Sequence, residues 1–213
     1  MSKALKEVRE RRTFDLDVEL RAGGDDETMT IVGYAAKFDR ESQDLGGFVE
    51  VIRAGAFTRA VKEDDVRALL NHDPNFVLGR TKSGTLRLSE DETGLRIEID
   101  VPDAQWARDL YRSIERGDID QMSFAFGVIK DAWTRREDET PDTLRELLDV
   151  RLFDVSPVTY PAYEDTEVGV RSVIADRDLT DAERDALRPI LSDRPPARSL
   201  DSMRRRLDLA DRA

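Results

Sequence analysis

Residues 85–90 (TLRLSE) and 94–101 (GLRIEIDV) alternate apolar and polar side chains, and Gly94 breaks them into a hairpin of two half-buried strands. TFDLDVEL at 13–20 alternates in the same way, and MTIVGYAAKF at 29–38 reads as a strand that can bend at Gly33. MSFAFGVI at 122–129 and VRLFDVSPVTY at 150–160 are strongly apolar strands, with the acidic stretch TRREDETPDT, 134–143, as a surface loop between them. Helical periodicity is confined to GAFTRAVKED, 55–64, and DAQWARDLYRSIERG, 103–117. In the second, Ala104, Ala107, Leu110, Tyr111 and Ile114 share one face and Gly117 closes the end. The pattern predicts a mainly β fold with α, a mostly antiparallel barrel or strongly curved sheet with a few helices between strands.

Aromatic residues mark the extent of the core, because none follows Tyr163. The expected organisation is an N-terminal arm over 1–11, a globular domain over 12–172 and a charged tail over 173–213. From Ile174 onward nine acidic residues meet nine arginines, so the net charge of −12 resides in the rest of the chain. Two tail helices are predicted around the breaker DRPPARS. One is LTDAERDALRPIL, with Thr180 as N-cap and Glu183 three residues on, and the other is SLDSMRRRLDLADR.

Composition narrows the chemistry. A pI near 4.7 opposes charge-driven binding of nucleic acid. No apolar run approaches the ~20 residues of a membrane span, and the charged start, MSKALKEVRERRTF, lacks the apolar centre of a signal peptide. The expectation is a soluble intracellular protein that binds neither nucleic acid nor membrane. With no cysteine and one histidine, thiolate zinc sites, cysteine nucleophiles and multi-histidine metal centres are excluded within one chain. No cofactor is expected, and any metal would be a hard ion held by carboxylates.

The single histidine, His72, follows the apolar run Val66–Leu70 and precedes Asp73-Pro74, so it stands at the end of a buried strand. Ser123 opens another strand. Alternation from Leu152 puts Leu152, Asp154 and Ser156 on one side of a third, with Phe153, Val155 and Pro157 on the other. Each residue has a plain structural reading: a strand-capping histidine, a serine at a barrel rim, an acid bonded to backbone or arginine. Together they are the set acyl transfer requires, a hydroxyl nucleophile, an imidazole base and a carboxylate that fixes the imidazole. Spacing alone does not bring them together, and Ser123 lacks the G-x-S-x-G of a nucleophile elbow. Trp106, Tyr111 and Ile114 read as core, and GGFVEVIRAGAF as a segment that could border a substrate groove.

The segments GYAAKFDR, VIRAGAF, LLNHD, LGR, GLRIEIDV, MSFAFGV and LFDVSPVTYPAY occur in this order from Gly33 to Tyr163. This ordered set resembles the prohead proteases of tailed bacteriophages, head-maturation serine peptidases related to the herpesvirus assemblins. The resemblance implies a herpesvirus-protease-like β-barrel and an endopeptidase that trims scaffold segments inside the assembling prohead, in the host cytoplasm. It implies His72 of NHD as base and Ser123 of MSF as nucleophile, with Asp154 of LFDVS as the third member and Asp149 as the alternative. Assemblins use a second histidine there, which this chain lacks. The implied partners are a major capsid protein or scaffold protein as substrate, with this chain's own tail as a further substrate and a homo-oligomer as a possible assembly. Two rival readings are a non-catalytic capsid-assembly protein on the same fold and a small carboxylate-metal hydrolase.

Overall fold

The computed structural model describes residues 9–15, 18–21, 29–137, 139–160 and 179–192. Two sheets and two short helices enclose one apolar core. The larger sheet has the order β1 (Glu10–Asp15), β9 (Gln121–Arg135), β10 (Thr143–Val158), β5 (Arg67–Leu70), β6 (Asp73–Arg80). β4 (Val49–Ile52) joins it by pairing in parallel with the start of β10. The smaller sheet is antiparallel, in the order β2 (Val18–Arg21), β3 (Thr30–Lys37), β8 (Gly94–Asp100), β7 (Leu86–Glu90). The mainly β expectation holds, but both sheets stay open and no closed barrel forms among the described residues.

Period-two burial explains the pairing. In β8, Leu95, Ile97 and Ile99 face inward, and in β9 Met122, Phe124 and Phe126 do the same from the other sheet. Between the sheets lie Phe57 and Ala60, at and in α1 (Thr58–Glu63), and the face Ala107, Leu110, Tyr111 and Ile114 of α2 (Gln105–Glu115). Trp106 sits at the margin of this core against Phe76, ring centroids 5.3 Å apart. Gly79 is needed for close approach, since a Cβ there would meet the Thr85 carbonyl oxygen at 2.6 Å. The β7–β8 hairpin forms as predicted, its turn held by the Asp91 carboxylate accepting from the Thr93 and Gly94 N–H groups.

Three expectations need correction. The alternating run 13–20 is not one strand, because β1 pairs with β9 in the large sheet and β2 with β3 in the small one. In β3 the register slips between Tyr34 and Ala36 rather than at Gly33, which pairs regularly with both Val18 and Ile97. The last two long strands reach further than expected, leaving a connection of only 136–142.

The first tail helix, α3 (Asp181–Ser192), opens with a reciprocal capping box. The Thr180 N–H donates to the Glu183 carboxylate at 2.8 Å, and the Glu183 N–H to Thr180 Oγ1 at 3.3 Å. It docks Ala186 and Leu187 on a separate apolar cluster with Leu45, Phe48 and Trp133, and Thr143 donates to the Ala186 carbonyl. The second expected tail helix and the breaker lie outside the described residues.

β1 is held by a buried ion network that the sequence pattern does not announce. The fully buried Arg145 guanidinium of β10 donates to Glu10 at 2.7 and 3.0 Å, to Glu50 at 3.0 Å and to Asp131 at 2.9 Å. Arg12 bonds Glu50 at 2.8 Å and Glu10 at 2.9 Å. Burial pushes the Glu10 carboxyl up, but the two guanidiniums outweigh it and hold its pKa below the ordinary carboxylate value. The network ties β1 to β4, β9 and β10.

Candidate active site

The site lies on the face of the large sheet opposite the core. β9 alternates Met122, Phe124 and Phe126 inward, so Ser123 and Ala125 point the other way. Across the ladder Ser123 stands between Thr13 of β1 and Ser156 of β10. Asp154 reaches this face through an irregularity. Leu152 pairs with Phe126 and Asp154 with Ala125, which leaves Phe153 as an extra residue. This bulge reverses the phase of the strand. Leu152 and Val155 are therefore in the core, whereas Asp154 and Ser156 face Ser123. Strict alternation from Leu152, which put Leu152 and Asp154 on one side, fails here.

His72 does not end a strand. It is the second residue of the two-residue turn between β5 and β6, with Leu70 paired to Asp73 across it. Asn71 and His72 have φ of +53° and +57°, the conformation a two-residue hairpin turn demands and one that asparagine and histidine enter more readily than most residues. Three hydrogen bonds fix the turn to the end of β10. The Asn71 N–H donates to the Pro157 carbonyl at 3.0 Å, Asn71 Nδ2 donates to Thr159 Oγ1 at 3.2 Å, and the Thr159 N–H donates to Asn71 Oδ1 at 2.9 Å. The imidazole is thus clamped over the strand pair that carries the serine and the acid.

Three side chains that are 82 and 51 positions apart along the chain meet in one line. His72 Nδ1 lies 2.5 Å from Asp154 Oδ1, and His72 Nε2 lies 2.8 Å from Ser123 Oγ. Ser156 Oγ donates to the same Asp154 oxygen at 2.9 Å. A carboxylate has no proton to donate, so Nδ1 carries the hydrogen and Nε2 turns its lone pair toward the serine hydroxyl. Such a relay can remove the hydroxyl proton as the oxygen attacks a carbonyl and return it to a leaving group. Ser123 has no exposed surface, and only 5% of the His72 side chain and 8% of that of Asp154 are exposed.

Asp149, the alternative acid, is elsewhere, 3.3 Å from Arg59 Nε and opposite Lys130 in the ladder. In the segment GGFVEVIRAGAF, β4 pairs with Leu144–Leu147 at the far end of β10 from Ser156, while Phe57 packs on Phe124 on the core side of β9, ring centroids 5.5 Å apart. Among the described residues no group of three or more His, Cys, Asp or Glu side chains is arranged to hold a metal ion, and no helix is long and apolar enough to cross a membrane. Sequence reasoning missed Asn71 as the residue that holds the histidine turn. Its signal was local, an asparagine directly before the histidine where an apolar strand breaks off.

The chain is 28% identical to the prohead protease of Enterobacteria phage HK97 over 185 residues, which cover 84% of this chain and 76% of that one. Its fold is similar to that of the capsid assembly protease of bacteriophage T4, with a TM-score of 0.51 and 14% identity, covering 70% of this chain and 96% of that structure. The family model for caudovirus prohead serine proteases matches residues 15–179. This chain belongs to the caudovirus prohead serine protease family.

Proposed function

We propose that Ser123 is the nucleophile, His72 the general base and Asp154 the orienting carboxylate of a serine endopeptidase that cleaves scaffold segments of capsid proteins during prohead maturation. The observation that carries this reading is the continuous Asp154–His72–Ser123 hydrogen-bond line. In the first half-reaction Ser123 Oγ adds to the scissile carbonyl while its proton passes to His72 Nε2. Asp154 stabilises the imidazolium and Ser156 steadies Asp154. The imidazolium then protonates the leaving amine, and water repeats the sequence on the acyl-enzyme.

The substrate is a major capsid or scaffold protein, with the tail beyond 172 as a candidate for self-cleavage. The three-part organisation, arm 1–11, protease domain 12–172 and tail 173–213, belongs to the same proposal, with α3 docked on the domain.

Coexpression with the capsid protein encoded beside it, read by intact mass, tests the function. Trimming by the wild type and none by Ser123→Ala is the expected pair of results. Equal trimming by both, or by neither while the capsid protein still assembles normally, would favour the non-catalytic assembly role.

A further inference from the structure

Arginines occupy several ladder positions around Ser123, in a chain of net charge −12. The ladder puts Arg11 of β1 opposite Ala125, two positions from the Thr13–Ser123 rung, and Arg151 of β10 opposite Gly127. Arg67 of β5 stands opposite Asp154. Between Arg11 and Arg151 the central strand carries Ala125 and Gly127, both buried. Arg9 lies over the Phe153 ring, 4.3 Å from its centroid, and Arg151 approaches the same ring at 5.9 Å. Arg9, Arg67, Arg151, Leu152 and Phe153 line a cavity of about 430 Å³ together with Glu63, Asp64 and Asp65.

The three carboxylates of that lining are engaged. Glu63 and Asp64 face Arg59, and Asp65 is shared by Arg67 and Arg80. Arg9 and Arg11 pair with no carboxylate among the described residues. A strand spacing of about 4.8 Å and a rise of about 3.4 Å per residue put the Arg11 Cα roughly 8 Å from that of Ser123. An extended substrate covers that span in two to three residues.

We propose that Arg11, with Arg9 beside it, is a specificity element of this protease, selecting substrates with an Asp or Glu side chain within about three residues of the scissile bond. The proposal rests on Ser123 as the nucleophile. A substrate carboxylate meets a planar guanidinium in a two-pronged, charge-assisted hydrogen bond that an amide of the same shape cannot match. The surplus negative charge of the chain repels an acidic peptide elsewhere, so Arg9 and Arg11, which have no carboxylate partner among the described residues, also direct it to this edge.

The test uses the full chain and a proteome-derived peptide library, with cleavage sites mapped by mass spectrometry, in wild type, Arg11→Gln, Arg11→Glu and Ser123→Ala. The expected result is enrichment of Asp and Glu over Asn and Gln by about tenfold at one position within three residues of the cut, the size of one charge-assisted contact. The ratio falls close to unity in Arg11→Gln and turns toward Lys and Arg in Arg11→Glu. Because the readout is a ratio, a general loss of activity in a variant does not move it. An unchanged ratio in Arg11→Gln, or no acidic preference in the wild type, overturns the proposal. Cleavage persisting in Ser123→Ala would instead overturn the assignment of the nucleophile on which it rests.

Discussion

Leu152 and Asp154 are two residues apart on one strand yet point to opposite faces of the sheet, because Phe153 between them is unpaired in the ladder. Without the bulge, regular alternation from Leu152 would put Asp154 opposite Phe124 on the core face of the strand, where an isolated carboxylate is costly. With it, the acid meets His72 Nδ1 and is braced by Ser156. Bulges recur beside active sites for this reason, since they re-aim one side chain while the strand on either side stays packed.

The carboxylate fixes which imidazole nitrogen carries the proton, so Asp154→Asn should leave the fold intact and lower kcat by about 10³–10⁴-fold. Ser156→Ala removes one neutral donor to that carboxylate and should cost about tenfold. Steady-state cleavage of one peptide by the three proteins checks the order. An Asp154→Asn enzyme as fast as Ser156→Ala would contradict it.

Asn71 acts through the turn it shares with His72. Asn71→Gly keeps the positive φ but loses the bonds to Thr159, and Asn71→Ala also strains the turn. kcat should fall by about 10-fold and 100-fold respectively, with KM near its wild-type value, because a displaced imidazole affects the chemical step. Equal changes in KM and kcat would point to a general loss of structure instead.

Arg145 is surrounded by Glu10, Glu50 and Asp131, so Arg145→Ala leaves buried carboxylates without their cation and should destabilise the protein by about 3–5 kcal/mol. The sign of the acid response follows from Glu10, whose folded pKa is lowered. Its contribution is complete above the unfolded value of about 4.3 and disappears as pH falls through the lower folded value. Urea midpoints measured from pH 7 to pH 3 should therefore drop below about pH 4.3, and Glu10→Gln should flatten that drop.

The strands and the helix face were legible because burial repeats with a period that neighbouring residues display by themselves. Ala107, Leu110, Tyr111 and Ile114 carry that period and are buried together. The candidate site was legible partly by elimination, since one histidine and no cysteine leave few ways to build a nucleophile, and partly through the resemblance around His72, Ser123 and Asp154. What stayed hidden depends on partners distant in sequence. The Phe153 bulge is defined only against the register of β9, and the split of 13–20 only by two different partner strands. Arg145 reads as a surface charge until Glu10, 135 positions away, is placed beside it.

The most direct test of the central claim is intact mass after exposure to a serine-directed fluorophosphonate, for wild type, Ser123→Ala and His72→Ala. Only an activated hydroxyl reacts, so the account predicts one adduct in the wild type, mapped to Ser123, and none in either variant. An adduct on another residue, or labelling that survives in His72→Ala at the wild-type rate, would contradict it.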